Sequence, residues 1–251
     1  EAHYAMPAVY KDVMERLAAG FMAAHPDVKV SYRQATASYD EGTQLVLREA
    51  VTLTDEEGIA KLSMRRLGQR LGVEAMSLYN HVANKDDLLD GMADLVSADF
   101  TVPAAGDDWR EALRRSALSA HEVLLRHPWA ATLLESRSNP GPQRLRYLNG
   151  VVAVMVDAGF PVQLAYYAFL TLDSYIYGFT LQEAAAPAAP EEAADAADDF
   201  VAGLPQGKYP HLVSMALIVM DPTHDQGADF GAGLEIVLDG LELHWTRVTT
   251  G

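Results

Sequence analysis

The sequence predicts an all-α chain: a three-helix domain containing a helix-turn-helix, followed by a larger helical domain. Three observations carry this. From about residue 42, apolar residues recur at helical spacing almost to the end, with glycines where helices should stop. Two short helical stretches meet at Gly72 with the spacing of a helix-turn-helix. The one stretch that alternates like a strand, Val28-Lys29-Val30-Ser31-Tyr32, has no sheet to join.

The elements follow in order. Tyr10 to Ala24 can form a helix. The run Leu17 to Val30 resembles the opening helix-strand unit of periplasmic solute-binding proteins. A solute-binding module needs many more strands, so residues 1–41 are read as a loosely docked extension. A helix runs from Glu41 or Gly42 to Glu57, with Val46, Ala50 and Leu53 at helical spacing and Gly58 as its stop. Ser63 caps a helix from Met64 to Leu71, which Gly72 ends. A short helix from about Ala75 to Val82 comes next. Asn84 caps another that starts at Lys85, with Asp86 and Asp87 in its favourable first turn. Further helices are expected at Trp109–Arg126, Gln143–Asp157, Val162–Glu183, Tyr209–Met220 and Asp229–Val248. Residues Ala184 to Gln206, rich in Ala, Pro, Asp and Glu, read as a long, acidic, mobile loop.

Composition narrows the class. Of 251 residues, 49% are hydrophobic and 22% charged, ordinary values for a soluble globular protein. No apolar run approaches the roughly 18 residues of a membrane span. No basic stretch leads into an apolar one at the start, so a secretory signal is not expected. The absence of cysteine excludes disulfides and thiolate metal sites and fits a cytoplasmic protein. The net charge of −16 argues against nucleic acid at first sight. Its distribution argues otherwise. Between Lys61 and Lys85, five bases (Lys61, Arg65, Arg66, Arg70, Lys85) face one acid, Glu74, giving +4 and leaving −20 elsewhere. A basic island on an acidic body suits a protein that meets DNA with one end.

That island coincides with the most informative stretch, Leu62 to Leu89. Leu67, Leu71, Val73 and Leu78 can form a small shared core that holds the second helix rigidly. Its opposite face is then free to enter a major groove. Ala75, Met76 and Ser77 sit at the start of that helix, small or apolar enough to approach base edges and thymine methyls. Tyr79, His81 and Lys85 can hold phosphates, and Arg65 can reach a guanine edge or a phosphate. Tyr79 can equally serve packing, and His81 can be a structural histidine.

The pattern Gly-Val-x-x-x-x-Leu-Tyr-x-His-Val-x-Asn-Lys-x-x-Leu-Leu, here Gly72 to Leu89, resembles the DNA-binding domain of the TetR (tetracycline-repressor) family. Asp55-Glu56-Glu57-Gly58 and Leu62-Ser63-Met64-Arg65-Arg66-Leu67 fit at the expected spacing. The resemblance continues through Val102-Pro103-Ala104-Ala105-Gly106-Asp107-Asp108-Trp109, His127-Pro128-Trp129, Asp157-Ala158-Gly159-Phe160 and Phe230-Gly231-Ala232-Gly233-Leu234-Glu235. It implies a helix-turn-helix DNA-binding domain over residues 42–96 and a helical ligand-binding and dimerisation domain over 97–251. It also implies DNA contacts at Arg65, Ala75, Met76, Ser77, Tyr79, His81 and Lys85. The function implied is a ligand-responsive regulator, a repressor by family default, that binds a double-stranded DNA operator as a homodimer and releases it on binding a small-molecule effector.

Dimerisation is also expected from the residues. The last helix gathers Phe230, Leu234, Val237, Leu238, Leu241 and Trp245 on one face. Gly231, Gly233 and Gly240, each costing about 1 kcal/mol in a helix interior, suggest close helix-helix approach. The helix Val162–Glu183 is apolar nearly all round, so two helices from each subunit can build a four-helix interface.

The effector differs from tetracycline. From the Pro-Ala-Ala-Gly-x-x-Trp landmark, the family's drug- and magnesium-binding groups fall on Ala98, Ser116, Ala120, Leu133, Ser136 and Val151. Ala98 and Leu133 replace two histidines, so no magnesium or other cofactor is expected, and an apolar or aromatic effector fits better. Phe100, Ser116, Leu133, Tyr147, Tyr166, Phe169 and Tyr175 are the candidate pocket residues, with His121 and Trp129 as weaker ones.

Other classes lack support. There is no Gly-rich phosphate loop, no Gly-x-Ser-x-Gly and no zinc signature. Asp221-Pro222-Thr223-His224-Asp225 could bind a metal, but a Pro-containing loop explains it more simply. Glu135 and Asp173 could act as acid and base, yet nothing marks them. The alternative is a helical ligand-binding protein or enzyme without DNA binding.

Overall fold

A computed structural model of the chain describes residues 11–29, 39–137, 139–186, 189–221 and 223–250. The described residues form α-helices and short 3-10 turns with no strand: α1 Lys11–Ala24, α2 Tyr39–Glu57, α3 Met64–Leu71, α4 Ala75–Leu78, α5 Lys85–Ser97, α6 Trp109–Arg126, α7 Pro128–Ser136, α8 Pro142–Asp157, α9 Val162–Ala185, α10 Pro190–Gly203, α11 Pro210–Val219 and α12 Asp229–Thr250. None of these helices is long and apolar enough to cross a membrane. The chain divides into two compact units. One comprises Glu1–Val96 with Ser136–Pro142, and the other Ser97–Glu135 with Gln143–Gly251.

In the first unit, α2 supplies the spine. Val46, Leu47, Ala50 and Leu53 are buried at helical spacing, and they share a core with Leu62, Leu67, Leu78, Leu88 and Met92. Local chemistry sets the breaks. Gly58 takes a φ of 85°, and its N–H bonds to Thr54 O at 2.8 Å. Ser63 caps α3, its hydroxyl accepting from Arg66 N at 3.3 Å. At the far end Gly72 turns left-handed, φ 69°, while Val73 N–H reaches Gly68 O and Gly72 N–H reaches Gln69 O. These two bonds form a Schellman stop. Asn84 and Asp87 cap α5 reciprocally: Asn84 Oδ1 accepts from Asp87 N, and Asp87 Oδ2 accepts from Ala83 N.

In the second unit, α6, α9 and α12 pack on one another. Leu113, Ala117, Ala120 and Leu124 of α6 are buried, as are Ala165, Ala168, Leu172 and Ile176 of α9. Asp108 caps α6 through Glu111 N, and Gly159, φ 94°, stops α8. Arg110 and Arg114 tie α6 to α12 through Glu235, Asp239 and Glu242.

Three expectations need correction, and one helix had no assignment from sequence. The stretch after Glu183 is not one long loop: α9 continues to Ala185, and Pro190–Gly203 forms α10, which packs on α11. Its five alanines are the best helix formers, and Pro190 at the first position suits a helix start. The short helix after Gly72 ends at Leu78, not Val82; residues 79–81 continue only as a turn. Pro128–Ser136, unassigned from sequence, is helical. Finally, the apolar face of α12 is covered within its own chain. Phe230 stacks on His121 at 3.8 Å, and Trp245 stacks on Phe160 at 5.1 Å with Trp109 edge-on at 5.8 Å. Gly233 makes room for the Tyr175 hydroxyl, which donates to Phe230 O at 2.7 Å, whereas Gly231 and Gly240 face open space.

The helix Tyr10–Ala24 is described from Lys11. Val28 and Lys29 are irregular, and the rest of the strand-like stretch, residues 30–32, lies outside the described residues.

Candidate nucleic-acid interface and effector cavity

The α3–α4 pair is held at very short range. A Cβ placed on Gly68 would lie 2.9 Å from Val73 O and 3.2 Å from the Ala75 backbone. Only a glycine lets the two helices cross this closely. Leu67 and Leu78, both buried, anchor them from beneath. Above this anchor Met76 is 75% exposed, Arg65, Tyr79 and Lys85 are exposed, and Ala75 and Ser77 are half-buried beside Met76.

His81 is placed differently from the others. Its imidazole lies against α2, where a Cβ on Gly42 would collide with Cε1, and Nδ1 is 3.4 Å from Thr43 Oγ1. It packs the turn after α4 onto α2. Sequence reasoning missed both glycine contacts, because a glycine inside a helix does not say what it faces.

Electrostatics also refine the basic island. Arg66 pairs with Glu57, and Arg70 with Glu49 (3.1 Å) and Glu56 (2.5 Å), all three carboxylates on α2. A charge count restricted to residues 61–85 omits these partners. Lys61, Arg65 and Lys85 make no ion pair among the described residues, so the usable positive charge is concentrated on them. The loop after α7 adds another anchor: Arg137 pairs with Asp90 and Asp86 of α5, and its Nη2 donates to Asp86 O.

In the second unit a narrow cavity is lined by Leu113, Ser116 and Ala117 of α6, Tyr147 and Val151 of α8, and Phe169, Leu172, Asp173 and Ile176 of α9. Its free space, about 10 Å³, holds roughly one water. Three of the sequence-derived pocket residues, Ser116, Tyr147 and Phe169, meet here. Phe100 lies directly behind, edge-on to Tyr147 at 5.0 Å. Leu133 is buried but does not line the cavity, Tyr166 is 55% exposed, and Tyr175 is engaged with Phe230. His121 packs elsewhere, its Nδ1 2.9 Å from Thr180 Oγ1 and its Nε2 3.1 Å from Glu183; burial lowers its pKa. Trp129 stands edge-on to His127 at 6.0 Å.

The cavity is apolar apart from a polar edge. Ser116 Oγ donates to Thr101 O at 2.8 Å, and burial pushes the Tyr147 phenol up to about 12. Asp173 ends the polar edge. Burial pushes its carboxyl up to about 6, against the opposing pull of Arg144 and with Glu135 beside it. Arg144 is 3.6 Å from Asp173 and lies over the rings of Tyr147 and Tyr177, 5.5 Å from each. Asp173, named from the sequence with Glu135 as a possible acid and base, does carry a mark there: it is the sole charged residue between Val162 and Gln182. No such signal marks Arg144, because an arginine on an amphipathic helix is ordinarily solvated.

The residues present do not suit a tetracycline-magnesium chelate. The Ala98 side chain has no donor atom, and Leu133 is a buried hydrocarbon. In the Asp221–Asp225 loop the polar groups serve the loop itself. Asp221 accepts from Thr223 N and Oγ1, His224 pairs with Asp229 at 3.0 Å, and Asp225 caps Gly227.

Residues 46–92 match the family described as bacterial regulatory proteins, tetR family, and residues 102–244 match the tetracyclin repressor-like C-terminal domain. The HTH-type transcriptional repressor DrrR1 of Streptomyces coeruleorubidus is 32% identical over 208 residues, 79% of this chain and 76% of that protein. Tetracycline repressor protein class D from Escherichia coli is 32% identical over 206 residues, 81% of this chain and 90% of its own. Among solved structures, the Streptomyces coelicolor protein ActR in complex with actinorhodin superposes with a TM-score of 0.67 at 29% identity, covering 80% of this chain and 97% of that one.

Proposed function

The chain belongs to the tetR family of bacterial transcription regulators, and from that premise we propose that it is a homodimeric repressor that releases a pseudo-palindromic operator when a small, largely apolar effector enters the second unit. The observation that carries the reading is the exposed array of Arg65, Met76, Tyr79 and Lys85 on the closely crossed α3–α4 pair. A rigid helix pair with an exposed face and free cations meets the physical needs of groove reading: phosphate contacts set position, and base-edge contacts set sequence. Arg65 and Lys85 take phosphate or guanine contacts, Met76 with Ala75 and Ser77 faces base edges, and Tyr79 supports the backbone. His81 contributes by seating the turn on α2. The DNA-binding domain spans residues 42–96 and the effector and dimerisation domain 97–251, with residues 1–41 an extension.

Val162, Tyr166 and Leu170 of α9 and Ile236 and Leu243 of α12 are exposed apolar residues, and a second copy of the chain is their natural cover. The effector site is the cavity of Ser116, Tyr147 and Phe169, with Phe100 behind it; its free space holds about one water, so a ligand enters by moving the walls apart, and Leu133, Tyr166 and Tyr175 come into play with that rearrangement. The relative ActR was solved with actinorhodin, which supports a small-molecule effector. The family consists of transcription regulators; we assign this chain no catalytic residue and a cytoplasmic location. Selection from random duplex DNA at a stated salt concentration tests the reading. Enrichment of an inverted repeat is expected; a folded protein that enriches none refutes it.

A further inference from the structure

The polar edge of the cavity decides what kind of effector can sit there. Asp173 lines the cavity, whereas Arg144 stands behind it, outside the lining and covered by the faces of Tyr147 and Tyr177. A ligand therefore meets the Asp173 carboxyl first, with the Arg144 guanidinium 3.6 Å behind it. Glu135 stands beside Asp173 on its other side, so the edge that faces the cavity is acidic. Ser116 Oγ is already committed to Thr101 O, so it offers no competing donor. Tyr147, buried at the same edge, keeps its phenol protonated. We propose that Asp173 is the specificity determinant of this cavity: its carboxylate anchors a hydroxyl or ammonium donor on an aromatic effector and excludes effectors that present a carboxylate there. The inference rests on the reading of this cavity as the effector site.

The physical ground is asymmetric. A donor meeting Asp173 gains a charge-assisted hydrogen bond in a poorly solvated site. A carboxylate placed at the same point sets a second negative charge directly against Asp173 in that poorly solvated site. The apolar remainder, Leu113, Val151, Phe169, Leu172 and Ile176, supplies burial but cannot discriminate between such groups.

The test uses the full chain and four probes on one two-ring frame: 2-naphthol, 2-naphthylmethylamine, 2-naphthoate and 2-methylnaphthalene, with affinities from isothermal titration calorimetry. The alcohol and the amine should bind about tenfold more tightly than the hydrocarbon, and the naphthoate least. Asp173→Asn should weaken the amine by about tenfold to a hundredfold and relieve the exclusion of the naphthoate. In the wild type, affinity for the amine should fall as pH drops through about 6, where Asp173 takes up its proton. The groups facing Asp173 in that titration are Glu135 of α7, Arg144 and Tyr147 of α8 and Tyr177 of α9. The pH readout decides the matter even if the variant fails to fold. Tightest binding of the naphthoate, an unchanged ranking in Asp173→Asn, or no binding by any probe overturns the proposal. Equal binding of all four removes the anchor while leaving an apolar effector cavity in place. The DNA selection does not involve the cavity, so failure of the regulator reading shows there and not in this ranking.

Discussion

Replacing one helix glycine by alanine should have opposite effects at two positions, and the contrast tests how the reading head is built. In the interior of a helix, alanine is favoured over glycine by about 1 kcal/mol. Gly231, in the first turn of α12, has nothing within 4 Å of an added Cβ, so Gly231→Ala should stabilise the protein by up to about 1 kcal/mol. Gly68 sits in α3 with the same local preference, but its added Cβ would lie 2.9 Å from Val73 O and 3.2 Å from Ala75 N and Cα. These are backbone atoms, and Val73 N–H is bonded to Gly68 O itself, so no side chain can rotate away. Overpacking of this kind costs about 1–3 kcal/mol, and here it exceeds the propensity gain. Gly68→Ala should therefore destabilise the first unit and push α4 outward, weakening DNA binding more than stability alone accounts for. Urea denaturation gives the stability change, and titration of labelled duplex carrying the selected site gives the affinity. If Gly68→Ala is as stable as Gly231→Ala and binds the same duplex with unchanged affinity, the close crossing does not position the reading face.

Further outcomes follow from the same residues. Lys85→Ala should weaken DNA binding nearly uniformly across sequences and flatten its salt dependence, whereas Arg65→Ala should also alter preference at one base if it reads a guanine; parallel site selections at two salt concentrations distinguish them. Ser63→Ala removes the cap of α3 and should cost about 1 kcal/mol in urea denaturation. The Asp173 carboxyl is raised from 3.8 to about 6 in the fold. A raised acid favours the folded state when protonated, so its contribution is full below pH 4 and is lost as pH rises through about 6. At about 1.4 kcal/mol per unit, the stability of wild type relative to Asp173→Asn should fall by about 3 kcal/mol over that window. A flat difference between pH 4 and 7 in paired denaturation curves would show that Asp173 is not buried as described.

What the sequence determined on its own was local. Helix ends at Gly58, Gly72 and Gly159 and caps at Ser63 and Asn84 depend on a few neighbouring residues, and those neighbours are adjacent in the chain. The exposed face of the α3–α4 pair followed equally, because Leu67 and Leu78 must be buried if the pair is to hold, and that leaves Met76 and Lys85 outside. Misjudgements arose where the partner was distant or the signal mixed. Prolines and acids around Pro190 suggested a loop, yet the alanines between them carry α10 through its contact with α11. Tertiary structure alone decided which apolar face of α12 stays within the chain, because Phe230 and Trp245 find their ring partners on α6, on α9 and at Phe160. It alone brought Asp173 of α9, Arg144 of α8 and Glu135 of α7 together, and it alone spent Arg66 and Arg70 on the carboxylates of α2. The physical reason is the same in each case. Periodicity tells which side of a helix must be buried, but not which element buries it, and the chemistry of a site depends on that partner.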